Sequence, residues 1–397
     1  MRNGSLLALL LLFSLRFALG ADVPPLTIGK ITPSDGQPFD RFGHNIAVDG
    51  HIAIIAAPFV DGAASDSGAA YLYDLRNSQQ TAKLTLPGAA ASENFGESVD
   101  LFGSLALVGA GGSDGRQVNS GAAYLYDVAT GLQRFKLTAS DGVTGDQFGT
   151  SVALSATLAV VGTYNRPAYV FDPNTGLQLT TLLPTDATDQ FGFVNSIAIS
   201  GERVLVGAQS DDSLGSNVGE AYLFNGRTGQ QLLKLQPSDR ISGGGFGISV
   251  AVNGNRALVA STYAAYLFDL TTSLQIARLT PHNGSTGSFF AMSVALTDSF
   301  AMVGAVQSGV AGVVDFYDPE TAAFLGETVS PKGVFFDQFG FSVAGSSEYL
   351  AIGARADNTH GNQSGAVYSW SVPEPGSSAL LLAGLAVTIG RQGRRKQ

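Results

Sequence analysis

Apolar residues along this chain fall into short blocks rather than helical stripes. Residues 52–56 read IAIIA, 105–109 LALVG, 158–162 LAVVG and 257–260 ALVA, with no charge inside the blocks. Continuous apolar runs of this length between turn residues predict strands buried on both faces. A weaker apolar phrase precedes each, at 45–48, 98–101, 151–154 and 249–252. An aromatic-rich block follows, usually ending in Asp: 70–74, 123–127, 168–172, 221–225, 265–269, 314–318 and 367–371. A polar turn, often Thr-Gly as at Thr130-Gly131, leads into a fourth and more polar run at 81–86, 133–138, 177–183, 231–236, 274–280 and 324–329. Away from the two termini no stretch keeps a helical period, so the pattern predicts strands throughout.

The four phrases recur as a unit. Phe-Gly opens the unit at Phe42, Phe95, Phe148, Phe191, Phe246 and Phe339, and Phe290-Ala291 supplies a degraded seventh copy. The steps between copies are 53, 53, 43, 55, 44 and 49 residues. From the second residue of each pair to the small-residue pair the spacing is 13 in six copies and 15 in the fourth, Gly192 to Gly207. A constant segment with a variable remainder means two strands joined by a fixed turn, with length changes confined to loops. Seven copies of four strands predict an all-β, seven-bladed β-propeller with four-stranded antiparallel blades. The seventh copy stops at Trp370-Ser371 with no fourth strand, and the chain opens on an orphan fourth-strand phrase at 26–32. Closure by this N-terminal strand gives every blade four strands and leaves no open edge in the ring.

The ends differ from the middle. Residues 1–20 carry Arg2, an apolar run from Ser5 to Leu15 and small residues before Ala21, the layout of a secretory signal. At the other end Pro373-Glu374-Pro375 precedes fifteen uncharged residues and then Arg391, Arg394, Arg395 and Lys396. The domain plan is therefore a signal at 1–20, a propeller at 21–371 and a terminal segment at 372–397. The chain's net charge of −10 becomes −16 once Arg2, Arg16 and the four C-terminal positives are removed. Such a domain should repel nucleic acid and anionic surfaces. There is no Cys, so packing rather than disulfides must supply the stability.

Phe-Gly followed by Gly-Ala or by Ala56-Ala57-Pro58 resembles the FG-GAP repeat of the integrin α-subunit propeller and of secreted bacterial proteins, over about residues 26–371. The form with Ser-Asp-Gly before Phe-Gly and Gly-Ala-Ala-Tyr-Leu-Tyr-Asp after the loop is similar to the compact bacterial variety. Calcium-binding members of that family place an Asp-rich loop between strands one and two. Here those turns read 48–51 VDGH, 101–104 LFGS, 154–157 LSAT, 200–203 SGER and 253–256 NGNR. None has the alternating oxygens of a calcium loop, so no calcium ligands carry over and no cofactor is expected, with calcium bound elsewhere as the alternative. The tail resembles the PEP-CTERM sorting signal of bacteria, carried by Pro373, Glu374, Pro375, Arg391, Arg394, Arg395 and Lys396. That resemblance implies transient membrane insertion, a sorting protease of the exosortase type, and delivery to the cell surface or extracellular matrix.

Strand order places the two–three and four–one loops on one face, where they are long and variable: 59–67, 111–120, 209–218 and 355–364, against a curtailed 163–167. Function on rigid scaffolds concentrates in such loops. Asp61, Asp66, Asp114, Asp146, Asp189, Asp211, Asp212 and Asp357 are the candidate binding residues there, among the basic Arg41, Arg116, Arg166, Arg240, Lys332 and Arg355. The bland alternative is that these acids cap turns; at the strand-three ends, Asp74, Asp127, Asp172, Asp269 and Asp318, capping is the expectation. No serine elbow or Cys nucleophile occurs, and His44, His51, His282 and His360 share no local metal spacing. The expectation is a non-enzymatic binding or adhesion protein with an extracellular glycan or protein ligand. The alternatives are a carboxylate-based hydrolase or lyase acting on polysaccharide, and a purely architectural matrix component.

Overall fold

A computed structural model describes residues 29–164, 166–185, 196–282, 290–306, 311–332 and 336–372. The two terminal segments and the Phe191-Gly192 pair lie outside the described residues. The described chain forms seven four-stranded antiparallel sheets. Their first strands are Ile46–Asp49, Val99–Phe102, Val152–Leu154, Ser196–Ser200, Val250–Asn253, Phe290–Leu296 and Phe339–Gly345. These seven strands line one central channel, which makes the sheets the blades of a propeller.

Burial follows the sequence pattern. The second and third strands of blade two, Leu105–Ala110 and Ala122–Asp127, are buried almost throughout. They are covered on both faces by neighbouring blades, which is why their apolar runs do not alternate. The outer strands Gln79–Leu84 and Leu274–Leu279 alternate exposed and covered positions, because only one face meets a neighbour. The expected closure is present. Gly29–Ile31 pairs antiparallel with Ala366–Ser371, with Gly29 opposite Ser369, Lys30 opposite Tyr368 and Ile31 opposite Val367. One departure concerns Phe290 and Phe339, which stand inside their first strands. A register shift before Ser293 and before Ser342 absorbs the extra residues.

The repeated pairs turn out to be two halves of a blade-to-blade joint. Phe42, Phe95, Phe148, Phe246 and Phe339 each sit under the third-strand aromatics of their own blade. Phe95 meets Tyr124 and Tyr126 edge-on at 5.8 and 5.9 Å, and Phe148 meets Tyr169 and Phe171 at 5.6 and 5.9 Å. Its backbone N–H then donates to the preceding blade: Phe95 to Ser67 O at 3.1 Å, Phe148 to Ser120 O at 2.9 Å, Phe246 to Val218 O at 2.8 Å. Phe42 donates to Ser364 O at 3.0 Å, which carries the same joint across the ring's closure. A second bond runs the other way. Ser98 Oγ donates to Gly149 O at 2.7 Å, Ser293 Oγ to Gly340 O at 2.9 Å, and Ser342 Oγ to Gly43 O at 2.7 Å.

The glycine of the Gly-Ala pair exists to admit that carbonyl. A Cβ on Gly109 would fall 1.9 Å from Gly149 O and 2.4 Å from Ser98 Oγ. Gly109→Ala should therefore force blades two and three apart and cost about 1–3 kcal/mol, the range of an overpacked core. A melting curve indistinguishable from the parent's would show that the joint yields freely. The strand-three Asp residues cap turns as expected: Asp127 Oδ1 accepts from Thr130 N at 3.0 Å, and Asp269 Oδ1 from Thr271 N at 2.7 Å.

Candidate binding face and channel mouth

The channel is a cavity of about 440 Å³ walled by the seven first strands. At one level the wall residues are Ala47, Ala153, Ala198, Ala251, Ala295 and Ala344, and the seventh is Asp100. First strands have a free edge toward the channel, so their N–H groups need acceptors. Asp100 supplies two: Oδ2 accepts from Leu154 N at 2.6 Å and Oδ1 from Leu101 N at 2.8 Å. Burial in this narrow space raises the Asp100 carboxyl to about 7, against the pull of those two N–H donors. A carboxyl raised on folding binds more protons in the native state, so it stabilises at low pH and loses that contribution as pH rises from about 4 through about 7. Asp100→Asn should match the parent near pH 4 and exceed it at pH 8 by about 1–2 kcal/mol, a value reduced from the full shift because the side chain is partly exposed on the channel wall. Melting temperatures across that range check it, and an equal pH slope in both proteins would sink it.

The long-loop face is built on local caps. Asp61 Oδ1 accepts from Asp66 N at 3.0 Å, Asp114 Oδ1 from Asn119 N at 2.9 Å, and Asn358 Oδ1 from Gln363 N at 2.7 Å. Asp212 closes its loop the same way through Asn217 N. The donor residues Asp66, Asn119, Asn217 and Gln363 all hold positive φ near 50°. Asp146 is buried, accepts from Val143 N at 2.7 Å and lies 3.6 Å from Arg166 Nη1. Asp211 and Asp212 point apart: the first is buried against the Tyr222 hydroxyl at 3.0 Å, the second sits in its exposed loop. Asp357 is brought together with Lys30 and Lys332, each at 3.0 Å, and with the Tyr368 hydroxyl. Burial alone would raise the Asp357 carboxyl, but Thr359 and the two ammonium groups hold it below its ordinary value. Asp189 lies outside the described residues, as do the sorting residues Pro373 to Lys396. Among the described residues no three His or acidic groups converge as a metal site would need. His51 faces Glu348, His282 stacks on Phe324 at 3.7 Å, and the His360 N–H donates to Ser364 Oγ at 3.0 Å.

The Ser-Asp pairs before Phe-Gly, followed by Gly at Asp35 and Asp141 and by Arg at Asp239, also have a structural use. Asp35 accepts from the Tyr71 hydroxyl at 3.1 Å and from Lys83, Asp141 from the Tyr169 hydroxyl at 2.7 Å and from Arg166, and Asp239 from the Tyr266 hydroxyl and Arg278 Nε, both at 2.7 Å. Burial, helped by Asp239, pushes the Tyr266 hydroxyl up to about 12. These tyrosines are fixed hydrogen-bond donors at neutral pH.

One cluster was not foreseen. Residues that follow Phe-Gly line the channel at its long-loop end, among them His44, Thr150, Ile248 and Phe341. Where blade seven meets blade one, the Arg355 guanidinium lies 3.3 Å from the Phe341 ring centroid. Its Nε donates to Gln338 Oε1 at 2.6 Å, and an Nη1 lies 3.3 Å from His44 Nδ1. Arg41 lies over the Phe59 ring at 4.7 Å. Burial, with the nearby Arg355 and Arg41 charges, drops His44 to about 4, so it accepts a hydrogen bond as a neutral ring. Burial and then Arg41 lower Arg355 to about 10. Among the described carboxylates none forms an ion pair with Arg41 or Arg355. Aligning the seven repeats by Phe-Gly would have exposed His44 as the one histidine at its position.

The FG-GAP repeat family model matches residues 27–73, 79–126, 132–173, 177–224 and 329–369, more than half of the chain. The intervening part holds the fifth and sixth blades, including the degraded Phe290-Ala291 copy. No curated protein matches. Among solved structures, the computationally designed Ika8 protein is similar in fold, with a TM-score of 0.54 at 14% identity, over 87% of this chain and 100% of that one.

Proposed function

Since the chain belongs to the FG-GAP repeat family, we propose that it is a non-enzymatic binding or adhesion protein that holds its ligand on the long-loop face. The observation that carries this reading is the placement of exposed aromatics. Phe39 (53% exposed), Tyr164 (55%), Tyr263 (44%) and Phe336 (70%) all stand on this face, and Phe102 (44%) is the one such residue of the described chain on the other. Aromatic side chains supply large contact area at small conformational cost and are enriched where partners dock. The blades beneath are locked to one another at the start of their first strands, so the crests are presented by a rigid frame.

The test uses residues 21–371 with Tyr164 and Tyr263 both replaced by Ser. The parent should adsorb to envelope or matrix material of the producing cells, and the double variant should adsorb at least about fivefold less. Equal adsorption by both, or none by the parent, sinks the reading.

Export and sorting rest on the sequence: the apolar leader at 1–20, and Pro373-Glu374-Pro375 followed by an apolar run and the basic Arg391, Arg394, Arg395 and Lys396. The proposed course is passage through the membrane, transient anchoring by the tail, cleavage by a sorting protease of the exosortase type, and release to the surface or matrix. Mass spectrometry of the mature protein should find a start near Ala21 and no segment after Pro375. An intact C-terminus on a protein retained in the cytoplasm would overturn it.

A further inference from the structure

The seam between blades seven and one carries an arrangement that the fold does not require. In the loop leading to Phe-Gly, the third residue before the Phe has positive φ in the five blades where it is described. Gly145 and Gly243 occupy it at 84° and 71°, and Ser92 at 62°. Blades one and seven place Phe39 and Phe336 there, at 73° and 76°. A bulky side chain in the left-handed region is strained, and these two phenyl rings are also among the most exposed apolar groups of the chain. Burial does not repay that strain. A residue held against its backbone preference and turned to solvent points to use.

Arg41 follows Phe39 by two residues, and Arg355 is bonded to Gln338, two residues after Phe336. Arg41 is itself left-handed, at 54°, where other blades carry Asn94, Gln147 and Gly245. Its guanidinium rests on Phe59 and has no described hydrogen-bond or carboxylate partner. Arg355 is held by Gln338 and His44, both uncharged, on the face of Phe341. Two neighbouring guanidiniums with no described carboxylate partner, on a chain of net charge −10, await an anion. The next bases along the same blade, Lys30 and Lys332, are matched by Asp357 and the neighbouring Asp337, so the surplus positive charge of the seam lies on Arg41 and Arg355.

We infer that this seam binds a uronic-acid-bearing polysaccharide, with sugar carboxylates on Arg41 and Arg355 and the C–H faces of neighbouring rings on Phe39 and Phe336. The inference rests on the binding reading above and names its ligand. A uronate polymer alternates a carboxylate with a flat apolar face along its length, which suits two cations flanked by two phenyl groups in adjacent blades. An acidic peptide would need backbone partners as well, usually a strand edge. The free edges of these blades lie in the channel and at the perimeter, away from the seam.

The experiment is titration of residues 21–371 with polygalacturonate fragments, with a neutral dextran and with poly-glutamate, followed by calorimetry. Polygalacturonate should bind, and its affinity should fall with added salt. Arg355→Gln and Arg41→Gln should each weaken it about 10- to 100-fold, the value of a charge-assisted pair. Phe39→Gly and Phe336→Gly separate function from folding. Each relieves the left-handed strain, so the melting temperature should hold or rise, while polygalacturonate affinity falls about fivefold or more. Binding of poly-glutamate as tight as polygalacturonate overturns the inference in favour of an acidic protein partner. Dextran binding that survives both Arg changes but not the Tyr164 and Tyr263 changes overturns it while leaving the binding face intact. No polygalacturonate binding, or binding indifferent to all four seam residues, overturns it as well.

Discussion

Deletion of residues 21–33 should lower the melting temperature by about 10–20 °C and make the protein aggregate. The strand Gly29–Ile31 is small, but it is the outer strand of blade seven. Ile31 is 2% exposed, and burying a side chain of that size contributes about 1.5–3 kcal/mol. The three-residue ladder with Ser369, Tyr368 and Val367 adds about 1 kcal/mol per hydrogen bond. Lys30 leaves as well, and the buried Asp357 carboxylate then keeps Lys332 as its one ammonium partner. Together these amount to about 4–6 kcal/mol, and for a chain of this size each kcal/mol moves the midpoint by about 2–4 °C. The second effect concerns the edge. Ala366–Ser371 would present unpaired N–H and C=O groups to any other chain. Calorimetry and size-exclusion chromatography read both effects, and adding a peptide of residues 24–35 in trans should restore part of the loss. A truncated protein that melts within about 3 °C of the parent, as a monomer, would show that closure by this strand is dispensable.

Phe148→Ala should cost about 3–5 kcal/mol, the range for removing a buried aromatic side chain. Phe148 has no exposed surface and sits between Tyr169 and Phe171 at centroid distances of 5.6 and 5.9 Å. Its backbone N–H also holds Ser120 O of the preceding blade. Truncation leaves a cavity at a joint that has no other side chain to fill it, since Gly121 faces the same point. A Cβ on Gly121 would stand 2.1 Å from Phe148 O, so the neighbouring backbone cannot move in without clashing. Leu132→Ala is the control: Leu132 is 67% exposed, and its loss should stay within about 0.5 kcal/mol. Denaturant unfolding of the two variants side by side decides it. Comparable midpoints would mean that the recurrent Phe is a spacer rather than a joint.

The sequence alone determined the blade count, the four strands per blade and the closing role of the N-terminal phrase. It could do so because a repeat is a local signal. Each unit states its own apolar runs, and the missing fourth strand at Ser371 matches the orphan strand at the start. The turn-capping role of Asp127 and Asp269 was legible for the same reason, since a cap acts within three residues.

Tertiary structure decided the rest, because the deciding partners are far apart in the chain. Nothing local says that Gly109 must be bare for Gly149 O, or that Ser342 reaches Gly43. The acids of the long-loop face looked alike in sequence, yet Asp212 caps its own loop while Asp357 takes up two lysines from opposite ends of the chain. Asp100 is one substitution in a ring of alanines, and only the channel's confinement raises its carboxyl to about 7. The Arg41, His44 and Arg355 cluster joins positions about 310 residues apart. It forms because ring closure sets the first blade against the last, and no stretch of the sequence contains that contact.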